Sequence, residues 1–94
     1  MKITGYQVSI IVLVLKVDKE NKQRTFPNTE LGTALEIYKQ IKQLISIEWD
    51  KQIFKEWEIK LNSEQKVFLT KLINDRDWSV DDAEEKITLI ELLV

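Results

Sequence analysis

The chain has 94 residues, of which 44% are hydrophobic and 32% are charged, and its formal net charge is -2. This composition is typical of a globular protein, and the length predicts a single domain, residues 1–94, with one hydrophobic core. The absence of cysteine and histidine excludes disulfides, thiolate catalysis and the commonest metal ligands and general base. We therefore expect an acidic cytoplasmic protein that holds no cofactor and no metal.

The first element is the apolar run from Val8 to Val17, which is rich in β-branched residues. Successive strand residues point to opposite faces, so a run without polar interruptions predicts a strand that is covered on both faces. We predict a long N-terminal strand over residues 6–17. The run is too short for a membrane-spanning helix, which needs about 20 apolar residues, and the polar residues 18–20 that follow are not a signal-peptide cleavage site.

Residues 18–23 are polar and contain turn-forming Asp18 and Asn21, which predicts a turn. Residues 24–26 could form a short second strand that ends at Pro27, because proline has no N–H for a sheet ladder.

An amphipathic helix follows and extends to about residue 46. Its start is open: the cap is either Asn28 or Thr29, directly after Pro27, or it is Thr33, with Glu36 three residues later as a capping box. Apolar residues then recur at three- and four-residue spacing from Ala34 to Ile45, which is the pattern of a helix with one buried face.

The middle of the chain has two interpretations. Residues 56–61 alternate polar with apolar, which predicts a half-buried strand, and we assign that strand to residues 54–61. The alternative is a continued helix, because apolar residues also recur every four positions. These residues are Ile41, Ile45, Trp49, Ile53 and Trp57.

Two further helices are predicted near the C-terminus. Asn62 and Gln65 have the spacing of a capping box, and the stripe of Phe68, Leu69, Leu72 and Ile73 continues that helix to about Asp75. The last helix opens at Ser79, with Asp82 in the place of a capping-box glutamate, and its second half is apolar nearly all round.

Together these elements predict an α+β fold, in which about three helices cover a small, mostly antiparallel sheet formed by the long N-terminal strand and one or two others.

Few residues could carry chemistry. Only two glycines are present, so neither a dinucleotide-binding turn nor a phosphate-binding loop can be drawn. Paired carboxylates at Glu48 and Asp50, or at Glu56 and Glu58, leave a carboxylate-based hydrolase as a remote alternative. The acidic residues between Asp75 and Glu85 fail the calcium-loop pattern, and we interpret them as charges that stabilise a helix N-terminus.

We therefore predict a non-catalytic protein that binds another protein, such as an inhibitor, an immunity or anti-defence factor, or an accessory subunit. The frequent use of Lys, Ile, Glu and Asn is typical of proteins from AT-rich genes, so we expect a bacterial or phage origin. Aromatic anchors and the acidic C-terminal helix are the candidate partner-binding residues. These are Trp49, Phe54, Trp57, Asp81, Asp82, Glu84 and Glu85.

Two further binding surfaces are predicted from other residues. A nucleic-acid-binding regulator is the alternative function, with the basic turn of Lys16, Lys19, Lys22 and Arg24 on phosphate, although the net charge disfavours nucleic acid. Surplus apolar surface predicts a homodimer, with no membrane association. The predicted self-association residues are Ile11, Leu13, Leu15, Leu89, Leu92 and Leu93.

Overall fold

The computed structural model describes residues 1–45 and 56–94. In chain order, the described elements are β1 (Lys2–Thr4), α1 (Gly5–Lys16), α2 (Asn28–Ile45), β2 (Glu56–Glu58), α3 (Ser63–Asn74) and α4 (Val80–Leu93). Four helices and one small antiparallel sheet make an α+β fold, which confirms the predicted class. The described residues contain one helix more than predicted, and the long strand is absent from them.

The prediction of a strand over residues 6–17 is wrong, because these residues form α1. The helix begins with a capping box: the Thr4 hydroxyl accepts a hydrogen bond from the Gln7 amide at 3.2 Å, and the Gln7 side chain accepts one from the Thr4 amide at 3.0 Å. A helix that is apolar on all sides is stable when it is buried on all sides. α1 meets this condition over most of its surface because it packs against α2, α3 and α4, while residues 6, 9, 12, 13 and 16 are partly or fully exposed.

The hydrophobic core surrounds α1. Val8, Ile11 and Val14 are fully buried on this helix, and the other three helices each contribute buried residues to the same cluster. These include Ala34, Ile37 and Ile41 of α2, Phe68, Leu69, Leu72 and Ile73 of α3, and Leu89 and Leu93 of α4. The stripe predicted for α3 is therefore confirmed.

A tight loop returns the chain from α1 to α2. The Asp18 carboxylate accepts hydrogen bonds from the Glu20 and Lys22 amides at 2.9 and 3.0 Å, and Asn21 adopts a left-handed backbone with φ 62°. Val17 and Gln23 form an isolated antiparallel bridge. The strand predicted for residues 24–26 does not form, and the segment runs as extended coil.

α2 begins directly after Pro27, whose carbonyl oxygen accepts hydrogen bonds from the Glu30 and Leu31 amides at 2.9 and 3.0 Å. The early start is thus right to within two residues, and the start at Thr33 is wrong. Proline suits the residue before a helix because its missing N–H is not needed there.

The two strands join the N-terminus to the middle of the chain. Ile3 pairs with Trp57 in an antiparallel register, and Met1 and Ile59 extend the contact through backbone hydrogen bonds at 2.8 and 2.9 Å. The strand predicted over 54–61 is confirmed for residues 56–58 and is wrong for residues 59–61, where the chain has left the strand. The continued helix is wrong at Trp57. The other parts of both interpretations that fall on 46–55 lie outside the described residues.

The capping box predicted for α3 is present, with Asn62 and Gln65 joined at 2.8 and 2.9 Å. Ser79 precedes α4 as predicted, but its hydroxyl donates to the Asp82 carboxylate at 3.1 Å and makes no bond to the helix backbone.

Within the described ranges, every helix is too short or too polar to cross a membrane.

Candidate functional site

An open groove lies between the C-terminal end of α1, the extended segment 23–26 and the outer side of α2. Its volume is about 460 Å³. We call it the α1–α2 groove, and its lining residues are Leu15, Lys16, Gln23, Arg24, Phe26, Leu31, Ala34, Leu35 and Tyr38.

The apolar part of the groove is built on α2. Leu31 and Leu35 are 50% and 48% exposed, and a spacing of four residues places them one turn apart on the same face. Among the large hydrophobic residues exposed in the described ranges, no other two lie one helical turn apart. Phe26 supports the opposite wall, since its ring packs against Phe68 with centroids 5.7 Å apart.

The polar part of the groove is cationic. The Lys16 ammonium lies 5.3 Å from the centre of the Tyr38 ring, a distance at which a cation is attracted to an aromatic face. Arg24 donates from Nη2 to the Val17 carbonyl oxygen at 3.5 Å. The lining residues include these two cations and no carboxylate, so the groove carries positive charge next to exposed leucines.

Arg24 shares its acceptor with a second arginine. Arg76 donates from Nη1 to the same Val17 oxygen at 3.4 Å and stacks on Trp78, 5.3 Å from the ring centroid. Val17 is the C-cap of α1, where the helix dipole places partial negative charge. The two guanidinium groups therefore stabilise the end of the central helix.

A second depression lies beyond the 18–23 loop, with a volume of about 650 Å³. It is lined by Lys19, Glu20, Asn21, Asn74, Asp75, Arg76 and Asp77. Its two cations face three carboxylates, and these charges offset one another. It therefore offers weaker charge selection than the α1–α2 groove.

The four basic residues predicted to contact nucleic acid are not on one surface. Lys16 and Arg24 line the α1–α2 groove, whereas Lys19 lines the second depression. Lys22 is exposed and lies 3.8 Å from the Glu20 carboxylate.

The residues predicted to bind a protein partner are also divided. Trp49 and Phe54 lie outside the described residues, and Trp57 is partly buried in β2. On α4, Asp81 and Glu84 are exposed, while Asp82 and Glu85 are partly buried. None of these described side chains lines the α1–α2 groove.

Asp82 has a partner within the chain. The Tyr6 hydroxyl donates a hydrogen bond to its carboxylate. That hydrogen bond raises the pKa of Tyr6 above 10.0, with smaller contributions from desolvation and from the charges of Asp82, Glu85 and Asp81. This acidic end of α4 thus anchors the start of α1.

The predicted self-association residues lie mainly inside the chain's own core. Ile11, Leu15, Leu89 and Leu93 are buried, and Leu13 and Leu92 are partly buried. The surplus apolar surface was predicted from the N-terminal run, taken as a strand, and from the apolar end of the last helix. The run is in fact a helix, and the helices cover these four buried side chains. Self-association itself stays a prediction.

The carboxylate pairs gain no support as a hydrolytic site. Glu48 and Asp50 lie outside the described residues, and Glu56 and Glu58 are both exposed. Glu58 lies 3.1 Å from the amino group of Met1. Across residues 1–45 and 56–94, no three acidic side chains are grouped so that they could hold a metal ion.

Six groove residues were not among the predicted site residues: Gln23, Phe26, Leu31, Ala34, Leu35 and Tyr38. One signal was available, because Leu31 and Leu35 share a helical face that is separate from the core stripe of Ala34, Ile37 and Ile41. A contiguous exposed apolar patch with a polar rim is typical of a binding surface, and this pair is its centre here.

By its fold the chain is a small α+β protein with one cationic, leucine-lined groove on its described surface. Comparisons with protein-family models, curated proteins and solved structures gave no match. The function is therefore inferred from the residues of the groove.

Proposed function

We propose that this protein acts without catalysis by binding another protein through the α1–α2 groove, as an inhibitor, an immunity or anti-defence factor, or an accessory subunit. The observation that carries the proposal is the pair of half-exposed leucines, Leu31 and Leu35, set between aromatic rings and two cations. Fully burying a leucine contributes about 1.5–3 kcal/mol, so completing the burial of both would contribute about half of that per residue.

The composition of the groove also favours a protein partner. Energetically dominant residues at protein interfaces are enriched in tyrosine and arginine and are surrounded by contacts that exclude water. Tyr38 and Arg24 are the corresponding side chains here, and each is already held by a contact within the chain. Side chains that are held in place lose less conformational entropy when a partner binds.

The test uses the tagged chain as bait in an extract of its native host, with quantitative mass spectrometry as the readout. The groove variant is Leu31→Glu with Leu35→Glu. The matched control is Val67→Glu with Ile87→Glu, which changes two residues that are 69% and 53% exposed and do not line the groove. We expect a protein that the wild type and the control retain equally and that the groove variant loses. Equal retention by all three, with unchanged circular dichroism, would contradict the proposal.

A nucleic-acid-binding regulator is the second candidate. It is supported by the aromatic residues Phe26 and Tyr38 beside Lys16 and Arg24, because single strands bind where bases can stack near cations. Such binding weakens steeply with salt. Gel-shift assays with single- and double-stranded DNA and RNA at low salt address it, and the absence of any shift would exclude it.

A further inference from the structure

We propose that the segment that fills the α1–α2 groove is an acidic amphipathic helix of the partner. This inference rests on the proposed function, because it specifies the chemistry of the partner that the groove binds. It concerns only the charge and shape of that segment.

The charge of the groove favours an acidic segment of the partner. Lys16 and Arg24 are its charged lining residues, and both are cations. Lys16 is exposed and makes its contact with the face of Tyr38, so its ammonium can also donate a hydrogen bond to a carboxylate of the partner. Basic partner residues would bring like charges together, which costs several kcal/mol at a close interface.

The shape of the groove selects for a helix. Leu31, Leu35 and Tyr38 follow one another at four- and three-residue spacing, and they form a ridge on α2 about 10 Å long. A second helix packs against such a ridge with its own side chains at three- and four-residue spacing. The extended segment 23–26 forms the other wall and confines the bound helix along α2.

The two kinds of contact have different roles. Burial of Leu31, Leu35 and Phe26 supplies the affinity, because apolar area removed from water is the main favourable term. Exposed ion pairs contribute little stability, but they set the preference between acidic and basic partners and the association rate.

The experiment measures fluorescence anisotropy with two synthetic helical peptides. The acidic peptide has leucines at three- and four-residue spacing flanked by glutamates, and the basic peptide replaces each glutamate by lysine. We expect the wild type to bind the acidic peptide at least about tenfold more tightly than the basic one. This ratio should narrow as salt rises from about 50 to about 300 mM, because the Debye length falls.

Charge-reversal variants locate the selectivity. Lys16→Glu with Arg24→Glu should reverse the preference between the peptides. The matched control, Lys19→Glu with Lys22→Glu, changes the net charge equally at two positions outside the groove and should keep the preference. If the reversed variant does not fold by circular dichroism, Lys16→Gln with Arg24→Gln should bind both peptides with about equal affinity.

Three results would overturn the inference. They are no binding of the acidic peptide, equal or better binding of the basic peptide by the wild type, and the same reversal in the Lys19 and Lys22 control. None of these affects capture of the native partner, so a loss of that partner in the Leu31 and Leu35 variant would still support the proposed function. Binding of a single-stranded oligonucleotide without binding of the acidic peptide is a case of the first result and would support the nucleic-acid-binding alternative.

Discussion

Several charged side chains in this protein bind to the chain itself. Arg24 and Arg76 converge on the Val17 carbonyl, and the Asp18 carboxylate holds the loop amides of Glu20 and Lys22. The backbone hydrogen bond from Lys22, followed by that from Glu20, lowers the pKa of Asp18 against an opposing effect of desolvation. A basic or acidic residue in the sequence is therefore poor evidence of a binding site until its own-chain contacts are known.

The hydrogen bond between Tyr6 and Asp82 can be tested by a pH titration. The hydrogen bond from Tyr6 to the Asp82 carboxylate raises the pKa of the phenol above 10.0. A raised pKa in the folded state means that the stabilisation is complete below the unfolded pKa and is lost as pH rises through the folded pKa. We expect Asp82→Asn to lower the pKa of Tyr6, measured by tyrosinate absorbance in a Tyr38→Phe background. An unchanged Tyr6 titration would contradict the contact.

Helix α1 shows how a local signal can decide between two element types. Its apolar run fits either a doubly covered strand or a fully buried helix, and periodicity cannot separate them. The threonine and glutamine of the Thr4–Gln7 capping box are a helix-start signature that stands in the sequence directly before the run. This pair of residues therefore favours a helix over a strand for the run.

The capping box is testable by substitution at Thr4. We expect Thr4→Ala to lower the free energy of unfolding by about 0.5–2 kcal/mol, because the Gln7 amide loses its acceptor. Thr4→Ser keeps the hydroxyl and should lose much less. Urea denaturation followed by circular dichroism measures both, and an equal loss in the two variants would show that the hydroxyl is not the cause.

The whole molecule is organised around α1, which the other three described helices enclose. This enclosure covers residues that the sequence assigned to a dimer interface, including Leu89 at 0% exposure. The groove arises at the same level, because its walls come from α1, the 23–26 segment and α2. A site assembled from three separate stretches has no single sequence motif.

Leu89 distinguishes a core role from an interface role. Truncation of a fully buried leucine removes apolar contacts and leaves a cavity, so we expect Leu89→Ala to lower the free energy of unfolding by about 2–5 kcal/mol. The molar mass from light scattering should be the same for the wild type and the variant. A change in molar mass with little change in stability would place Leu89 in an interface after all.

The sequence by itself predicted the α+β class, the helix α3 with its cap and stripe, and the start of α4. It offered the observed start of α2 and the strand at Trp57 each as one of two alternatives. These features depend on neighbours within a few positions, so their signals are local. Only the tertiary structure decided that α1 lies at the centre of the core, that the predicted interface residues are core, and that Leu31 and Leu35 flank a cationic groove. Those outcomes depend on which surfaces of distant segments cover one another, and a linear pattern of apolar residues does not specify that.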